Sequence, residues 1–271
     1  MRKADIILQI KQKQSFLCTG LDTEINNLPT GISKDGPGLL EFNKNIIQAT
    51  KDHSIAYKIN TAFYEQYGKM GWEWMEETLT QLPINTFNIA DAKRGDIGNT
   101  SKMYAKAFFE TLNFDAITVS PYMGEDSLRP FLEFQDKTII CLALTSNEGH
   151  KDFQTQEYNG KKLYENVINT VCKWGNEDNI MFVVGATRSS LVTEIRNFLP
   201  KHFLLVPGVG AQGGDLTAIT EAAITPEVGL IVNNSRGILY ASSGEDYAEA
   251  AQVKAKEMSL EMSTLLQKFN I

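Results

Sequence analysis

The chain is predicted to fold as a (β/α)₈ barrel. Three observations carry that expectation: eight apolar segments of strand length, stretches of helical spacing between them, and 271 residues, close to the roughly 250 typical of that architecture. A doubly wound open sheet is the alternative reading of the same alternation. No low-complexity segment, internal repeat or linker interrupts the pattern, so residues 1–271 are expected to form one domain. In a barrel, sites are built at the C-terminal ends of strands, which makes the polar residues after each apolar run the ones to read.

The first segment, Phe16-Leu17-Cys18-Thr19-Gly20-Leu21, ends at Asp22, which suits either a helix cap or a carboxylate for hydroxyl groups. The second, Ile55-Ala56-Tyr57-Lys58-Ile59, carries a lysine inside an apolar strand. A lysine there needs a partner, and Asp22 and Asp91 are the natural ones. Leu39, Phe42, Ile46 and Ala49 lie between these segments at helical spacing. The third segment, Phe87-Asn88-Ile89-Ala90, runs straight into Asp91-Ala92-Lys93-Arg94-Gly95-Asp96-Ile97-Gly98-Asn99-Thr100. Side chains at i and i+2 of a strand share a face, so Asp91 and Lys93 are expected to project together, with Asp96 returning from the turn that opens the next helix. Such an alternation is costly to bury unless every member is paired.

Met103, Ala107 and Phe108 predict the helix after the third strand, and Ala116-Ile117-Thr118-Val119 is the fourth strand. The fifth, Ile139-Ile140-Cys141-Leu142-Ala143-Leu144, ends in Thr145-Ser146-Asn147, hydroxyl and amide groups able to read a heterocycle or simply to make a turn. The polar insertion Asn147 to Gln154 follows, as a lid or a solvated loop, and then a helix marked by Leu163, Val167, Val171 and Trp174. Ile180-Met181-Phe182-Val183-Val184 is the sixth strand and Phe203-Leu204-Leu205-Val206 the seventh. The seventh ends in the glycine-rich run Pro207-Gly208-Val209-Gly210-Ala211-Gln212-Gly213-Gly214-Asp215. The eighth, Gly229-Leu230-Ile231-Val232, ends in Asn233-Asn234-Ser235-Arg236. Loops after the last two strands of a barrel frequently hold phosphate on exposed backbone N–H groups, and Arg236 supplies a charge-assisted contact.

Composition narrows the classes. A net charge of −7 with no basic stripe or tail argues against a nucleic-acid partner. No apolar run reaches about 18 residues and the N-terminal residues do not read as a signal peptide, so a soluble, cytoplasmic protein with no membrane association is expected. Cys18, Cys141 and Cys172 are odd in number and far apart, which suits neither a disulfide framework nor zinc; Cys18 and Cys141 sit in strand segments and are expected in the core. His53, His150 and His202 are isolated and show no metal-ligand spacing, so no metal site is expected.

The run from Asp91 to Thr100 resembles the signature of orotidine 5'-phosphate decarboxylases, and the other strand ends match that family position by position, in the manner of its longer bacterial branch. The resemblance implies decarboxylation of orotidine 5'-monophosphate to uridine 5'-monophosphate without a cofactor, in a homodimer with shared sites. It implies that Asp22 binds the ribose hydroxyls, while Lys58, Asp91 and Lys93 form a charged array at the reacting carbon with Lys93 as proton donor. Asp96 and Thr100 would serve the neighbouring protomer, Ser146 would contact the pyrimidine, and Pro207 and Gly208 would border it. Gln212 and Arg236 would hold the phosphate. Asn147-Glu148-Gly149 stands where smaller members resemble His-Pro-Gly, and Asn234-Ser235 stands where they carry glycine. The array also speaks against Schiff-base chemistry, because adjacent carboxylates favour the ammonium over the nucleophilic amine. Two further readings remain: a magnesium-assisted sugar-phosphate decarboxylase or aldolase of related fold, and a catalytically silent nucleotide-binding barrel.

Overall fold

The computed structural model describes residues 1–185, 189–209 and 215–271. Eight parallel strands close into a barrel: β1 (Leu17–Gly20), β2 (Ser54–Asn60), β3 (Phe87–Arg94), β4 (Ala116–Val119), β5 (Thr138–Leu144), β6 (Ile180–Val184), β7 (Leu204–Pro207) and β8 (Leu230–Asn234). Each pairs with its neighbours in sequence, and β8 returns to β1 through Leu17–Val232, Cys18–Asn233 and Thr19–Asn234. The open-sheet alternative is thereby excluded. The strands read as unbroken apolar runs because helices cover them outside while side chains fill the barrel inside. Phe16, Tyr57, Phe87 and Phe182 are fully buried, as are Cys18 and Cys141.

Ahead of the barrel, α1 (Lys3–Lys13) buries Ile6 and Ile10, and Lys13 donates to the carbonyls of Lys51 and Ser54 at 2.6 and 2.7 Å. Asp35 accepts from the Gly38 amide and so caps α2 (Gly36–Thr50), whose first turn holds Pro37, a residue with no N–H to lose there. Two helices, α3 (Ala62–Glu65) and α4 (Gly68–Thr80), follow β2; α5 (Gly98–Lys106) follows β3 and runs into a π-helical turn, Ala107–Thr111. The remaining helices are α6 (Glu125–Leu132), α7 (His150–Phe153), α8 (Leu163–Val171), α9 (Ser189–Phe198), α10 (Leu216–Ala223), α11 (Arg236–Leu239) and α12 (Tyr247–Lys268).

Four expectations shift in detail. The strand ending at Ala90 in the sequence reading continues to Arg94, so Asp91 and Lys93 belong to β3 itself. In α5, Met103 faces out, and the buried side is Ser101 and Ala105, continuing into Phe108 and Phe109; the π-helical turn there takes more residues per turn and rotates the apolar stripe. In α8 the buried side is Tyr164, Ile168 and Val171, one position on from Leu163 and Val167, because a tyrosine can bury its ring and keep its hydroxyl bonded, here to Glu194 at 2.7 Å. The insertion after β5 is neither wholly irregular nor a long loop: it folds as α7 and a small antiparallel hairpin pairing Glu157 with Lys162 and Tyr158 with Lys161.

Candidate active site

At the C-terminal mouth of the barrel, Lys58 stands between two carboxylates, 3.0 Å from Asp22 and 3.0 Å from Asp91. Asp91 also accepts from the Lys93 ammonium, at 2.6 Å. The expected partners of Lys58 are both present, and charge alternates along Asp22, Lys58, Asp91 and Lys93. Lys58 is only 4% exposed, so an unpaired ammonium there would be very costly. Burial disfavours its charge, but Asp22 and Asp91 more than offset this and raise Lys58 above the ordinary lysine range. Burial likewise opposes ionisation of Asp91, yet Lys58 and Lys93 prevail and hold its carboxyl well below the usual carboxylate range. Lys58 and Asp91 are therefore both charged at neutral pH.

Asp91 and Lys93 do meet, though not as neighbours on a regular strand. Ala90 pairs with Ile117 and Arg94 with Val119, so the three residues Asp91 to Lys93 face the single residue Thr118 of β4. This is a β-bulge, and Lys93 within it has a positive φ of 48°, a backbone conformation uncommon for residues other than glycine. Arg94 anchors the far side of the bulge: it pairs with Glu65, donates to the Ala92 carbonyl at 2.8 Å, and lies over the rings of Tyr104 and Phe108.

The loop bearing Asp22 is held from both sides. The Leu21 amide donates to the Lys58 carbonyl at 2.8 Å, and the Leu21 carbonyl accepts from the Tyr64 hydroxyl. Thr23 donates to Asn43, whose amide in turn reaches Tyr64 and Thr78. All four of these polar side chains are buried and paired, which makes the support stiff.

Two cavities meet at this array and share Lys58, Asp91 and Pro207 in their walls. One, of about 260 Å³, adds Lys93, Ser146, Leu142, Val183 and Leu205, an apolar floor with polar groups at its rim. The other, of about 140 Å³, adds Asp22, Gly208, Asn233, Ser235 and Arg236. Ser146 is set by Gly185, where even a Cβ atom would come within 2.8 Å of the Ser146 amide. Gly208 has φ +89°, the left-handed region that glycine alone adopts freely. Arg236 opens α11 with an exposed side chain that has no ion pair among the described residues. A larger depression, about 540 Å³, lies at the opposite face, lined by Asp5, Gln9, Asn88 and Asp115 among others; it offers no lysine or arginine for an anionic ligand and none of the charged array.

The described residues therefore bring together Asp22, Lys58, Asp91, Lys93, Ser146, Pro207, Gly208 and Arg236. Asp96 and Thr100 are not brought to Lys93 within the chain: Asp96 precedes α5 and accepts from the Ile97 amide, and neither residue lines these cavities. Gln212 lies outside the described residues. The sequence reading missed Asn233, the apolar wall of Leu142, Val183 and Leu205, and Thr118, which touches both Asp91 and Lys93. A hydroxyl in the otherwise apolar run of β4 was the available signal for Thr118, since a buried hydroxyl requires a partner.

A model of the family described as "Orotidine 5'-phosphate decarboxylase / HUMPS family" matches residues 15–251, which takes in the whole barrel. The chain belongs to this family. Among curated relatives, the orotidine 5'-phosphate decarboxylase of Christiangramia forsetii is 51% identical over 271 residues, covering 99% of this chain and all of the relative. The protein of the same name from Flavobacterium johnsoniae is 51% identical over 261 residues, covering 95% and 96%. Among solved structures, Leishmania donovani OMP decarboxylase superposes with a TM-score of 0.85 at 34% identity, covering 98% of each chain. Family membership agrees with the resemblance carried by the run from Asp91 to Thr100.

Proposed function

We propose that this protein decarboxylates orotidine 5'-monophosphate to uridine 5'-monophosphate and carbon dioxide, the last step of uridylate synthesis, as one barrel domain spanning residues 1–271. The observation that carries the reading is the alternating array Asp22–Lys58–Asp91–Lys93 beside a cavity with an apolar floor.

In this reading Asp22 takes the ribose hydroxyls, Ser146 the pyrimidine edge, and Pro207 and Gly208 border the ring. Arg236, with Gln212, takes the phosphate. The substrate carboxylate then lies toward Asp91. As its carbon–carbon bond breaks, carbon dioxide leaves and the electron pair stays on the ring carbon in an orbital the ring cannot readily delocalise. The Lys93 ammonium delivers a proton to that carbon, forming the new C–H bond, and the resulting amine recovers a proton from water. Lys58 fixes Asp91 in its charged form throughout. General acid help supplies only about 10²–10⁴ in rate, so binding energy from the remote phosphate and preorganised charge must supply the larger share.

Every proton and counter-charge this step needs is a side chain, so the proposed reaction uses no cofactor. The protein acts in the cytoplasm as a homodimer in which Asp96 and Thr100 complete the partner's site. The run of exposed apolar residues Ile97, Met103, Tyr122 and Met123, on the segments after β3 and β4, supports an interface there. The test is to mix purified protein with orotidine 5'-monophosphate and a chelator and follow loss of the substrate's ultraviolet absorbance. Turnover is expected. No turnover by folded protein would leave the silent nucleotide-binding barrel, and turnover only after magnesium is restored would favour the metal-assisted sugar-phosphate enzymes.

A further inference from the structure

The bulge that delivers Lys93 leaves its backbone amide without a strand carbonyl to bond. Instead the amide donates to Thr118 Oγ1 at 2.9 Å. The same hydroxyl donates its proton to Asp91 Oδ1 at 3.0 Å, and that oxygen accepts from Lys93 Nζ at 2.6 Å. The ring closes on itself: lysine amide to threonine hydroxyl, hydroxyl to carboxylate, ammonium to the same carboxylate. Thr118 is 1% exposed, so no solvent stands in for the two bonds its hydroxyl makes.

Lys93 pays a conformational penalty for its left-handed backbone, and such residues persist only where the surroundings over-determine them. Three groups do so here. Arg94 clamps the next residue through Glu65 and the Ala92 carbonyl, Asp91 holds the ammonium, and Thr118 alone touches both the amide of Lys93 and the carboxylate that holds its side chain. A hydroxyl has one proton to give and lone pairs to receive, so it can serve an N–H and a carboxylate at once. Valine has the same shape and can serve neither.

We propose that Thr118 is a positioning residue, locking the bulged backbone of Lys93 and the rotamer of Asp91 together so that the ammonium is presented at the cavity. It acts through Lys93 and Asp91. The inference rests on the reading of Lys93 as proton donor, and it goes beyond it by naming what fixes that donor in place.

The test uses full-length Thr118→Val and Thr118→Ser chains beside the unsubstituted protein. Thr118→Val is expected to lower kcat by about 10- to 100-fold, the cost of orphaning a part-buried amide and loosening a charged partner. KM and the affinity for uridine 5'-monophosphate should stay within about threefold, and Thr118→Ser should keep kcat within the same margin. Hydrogen exchange supplies a readout independent of turnover: the Lys93 amide should be protected in the unsubstituted chain and exposed in Thr118→Val, while amides elsewhere in β3 and β4 keep their protection. The proposal is overturned if Thr118→Val turns over normally, if its defect lies in KM alone, or if Thr118→Ser is equally impaired. Should Thr118→Val not fold, Thr118→Ala takes its place, and an unprotected Lys93 amide in the unsubstituted chain rejects the proposal without any variant. An inactive unsubstituted chain would instead reject the decarboxylase reading, leaving amide protection to decide the geometry.

Discussion

Two buried cations sit at opposite ends of this barrel and solve the same problem in different ways. Lys58, at the C-terminal mouth, is bracketed by two carboxylates. Arg196, at the N-terminal face, meets none among the described residues. It donates to the carbonyls of Ala223, Leu199, His202 and Gly229 at 2.6–2.7 Å. Burial opposes both charges. Carboxylates reverse that effect at Lys58, whereas carbonyl dipoles do not fully offset it at Arg196, which burial pushes down to about 10 and which stays charged at neutral pH. The carbonyls Arg196 gathers lie at the ends of α9 and α10 and just before the strands β7 and β8, so it works as a staple between connections. Lys58 belongs to a chain of alternating full charges facing a cavity. Full charges paired beside an opening can act on a ligand; a cation spent entirely on backbone carbonyls cannot.

The sharpest way to break this division is Lys93→Ala. Turnover should fall by about 10⁴ or more, the upper range of general acid catalysis, while the fold and binding of the product nucleotide persist. Substantial residual turnover would remove Lys93 from the donor role and, with it, the claim that the mouth is where the chemistry lies. Arg196→Met tests the other end. It orphans several buried carbonyls and should lower unfolding free energy by about 3 kcal/mol in urea titrations, with turnover per folded molecule unchanged. A change in KM or kcat at equal folded fraction would mean that the two ends are coupled.

Within the mouth, Arg236→Ala should weaken nucleotide affinity by about 10-fold or more and leave nucleoside affinity nearly unaltered, because it deletes a charge-assisted phosphate contact. Calorimetry with both ligands checks it, and equal losses would sink the assignment. Mixing Lys93→Ala with Asp96→Ala chains examines whether the site is shared. Random pairing makes half the dimers mixed, and half of their sites receive an intact Lys93 and an intact partner Asp96, so about a quarter of wild-type activity should return. Subunit exchange is verified first with two differently tagged chains; no recovery after exchange would confine Asp96 to its own chain.

The smallest expected effect is a flat response to pH. The folded carboxyl of Asp91 is depressed, so its contribution to stability is complete above its unfolded value near about 4 and is lost as pH falls through the folded value. Lys58 is raised, so its contribution is complete below its unfolded value near about 10.4 and is lost as pH rises through the folded value. The urea-midpoint difference between the unsubstituted chain and Asp91→Asn should therefore stay constant from about pH 5 to pH 9. A slope inside that window would show that the array titrates where it is read as fixed.

The alternation of eight apolar runs with helical stretches was enough to predict parallel strands covered by helices, because strands buried on both faces must be apolar throughout and the helices that cover them must be amphipathic, while the pairing of β8 with β1 decided the barrel over the open sheet. The pairing of Lys58 with Asp22 and Asp91 was legible too, since a lysine inside such a strand has to find an acid at a neighbouring strand end. The family was readable from the run Asp91 to Thr100. Periodicity could not reveal the bulge. A count of two positions between Asp91 and Lys93 implies a regular strand, and only the pairing of Ala90 with Ile117 and Arg94 with Val119 shows that the strand bulges between them. Thr118 is 25 positions from Lys93 in sequence, and its double contact exists only because β4 lies beside β3 in the closed sheet. Local sequence thus determined which elements form and which charges must meet, because burial penalties act on each residue where it stands. The tertiary structure alone decided how the lysine is aimed, because that depends on strand register and on a hydroxyl supplied from another part of the chain.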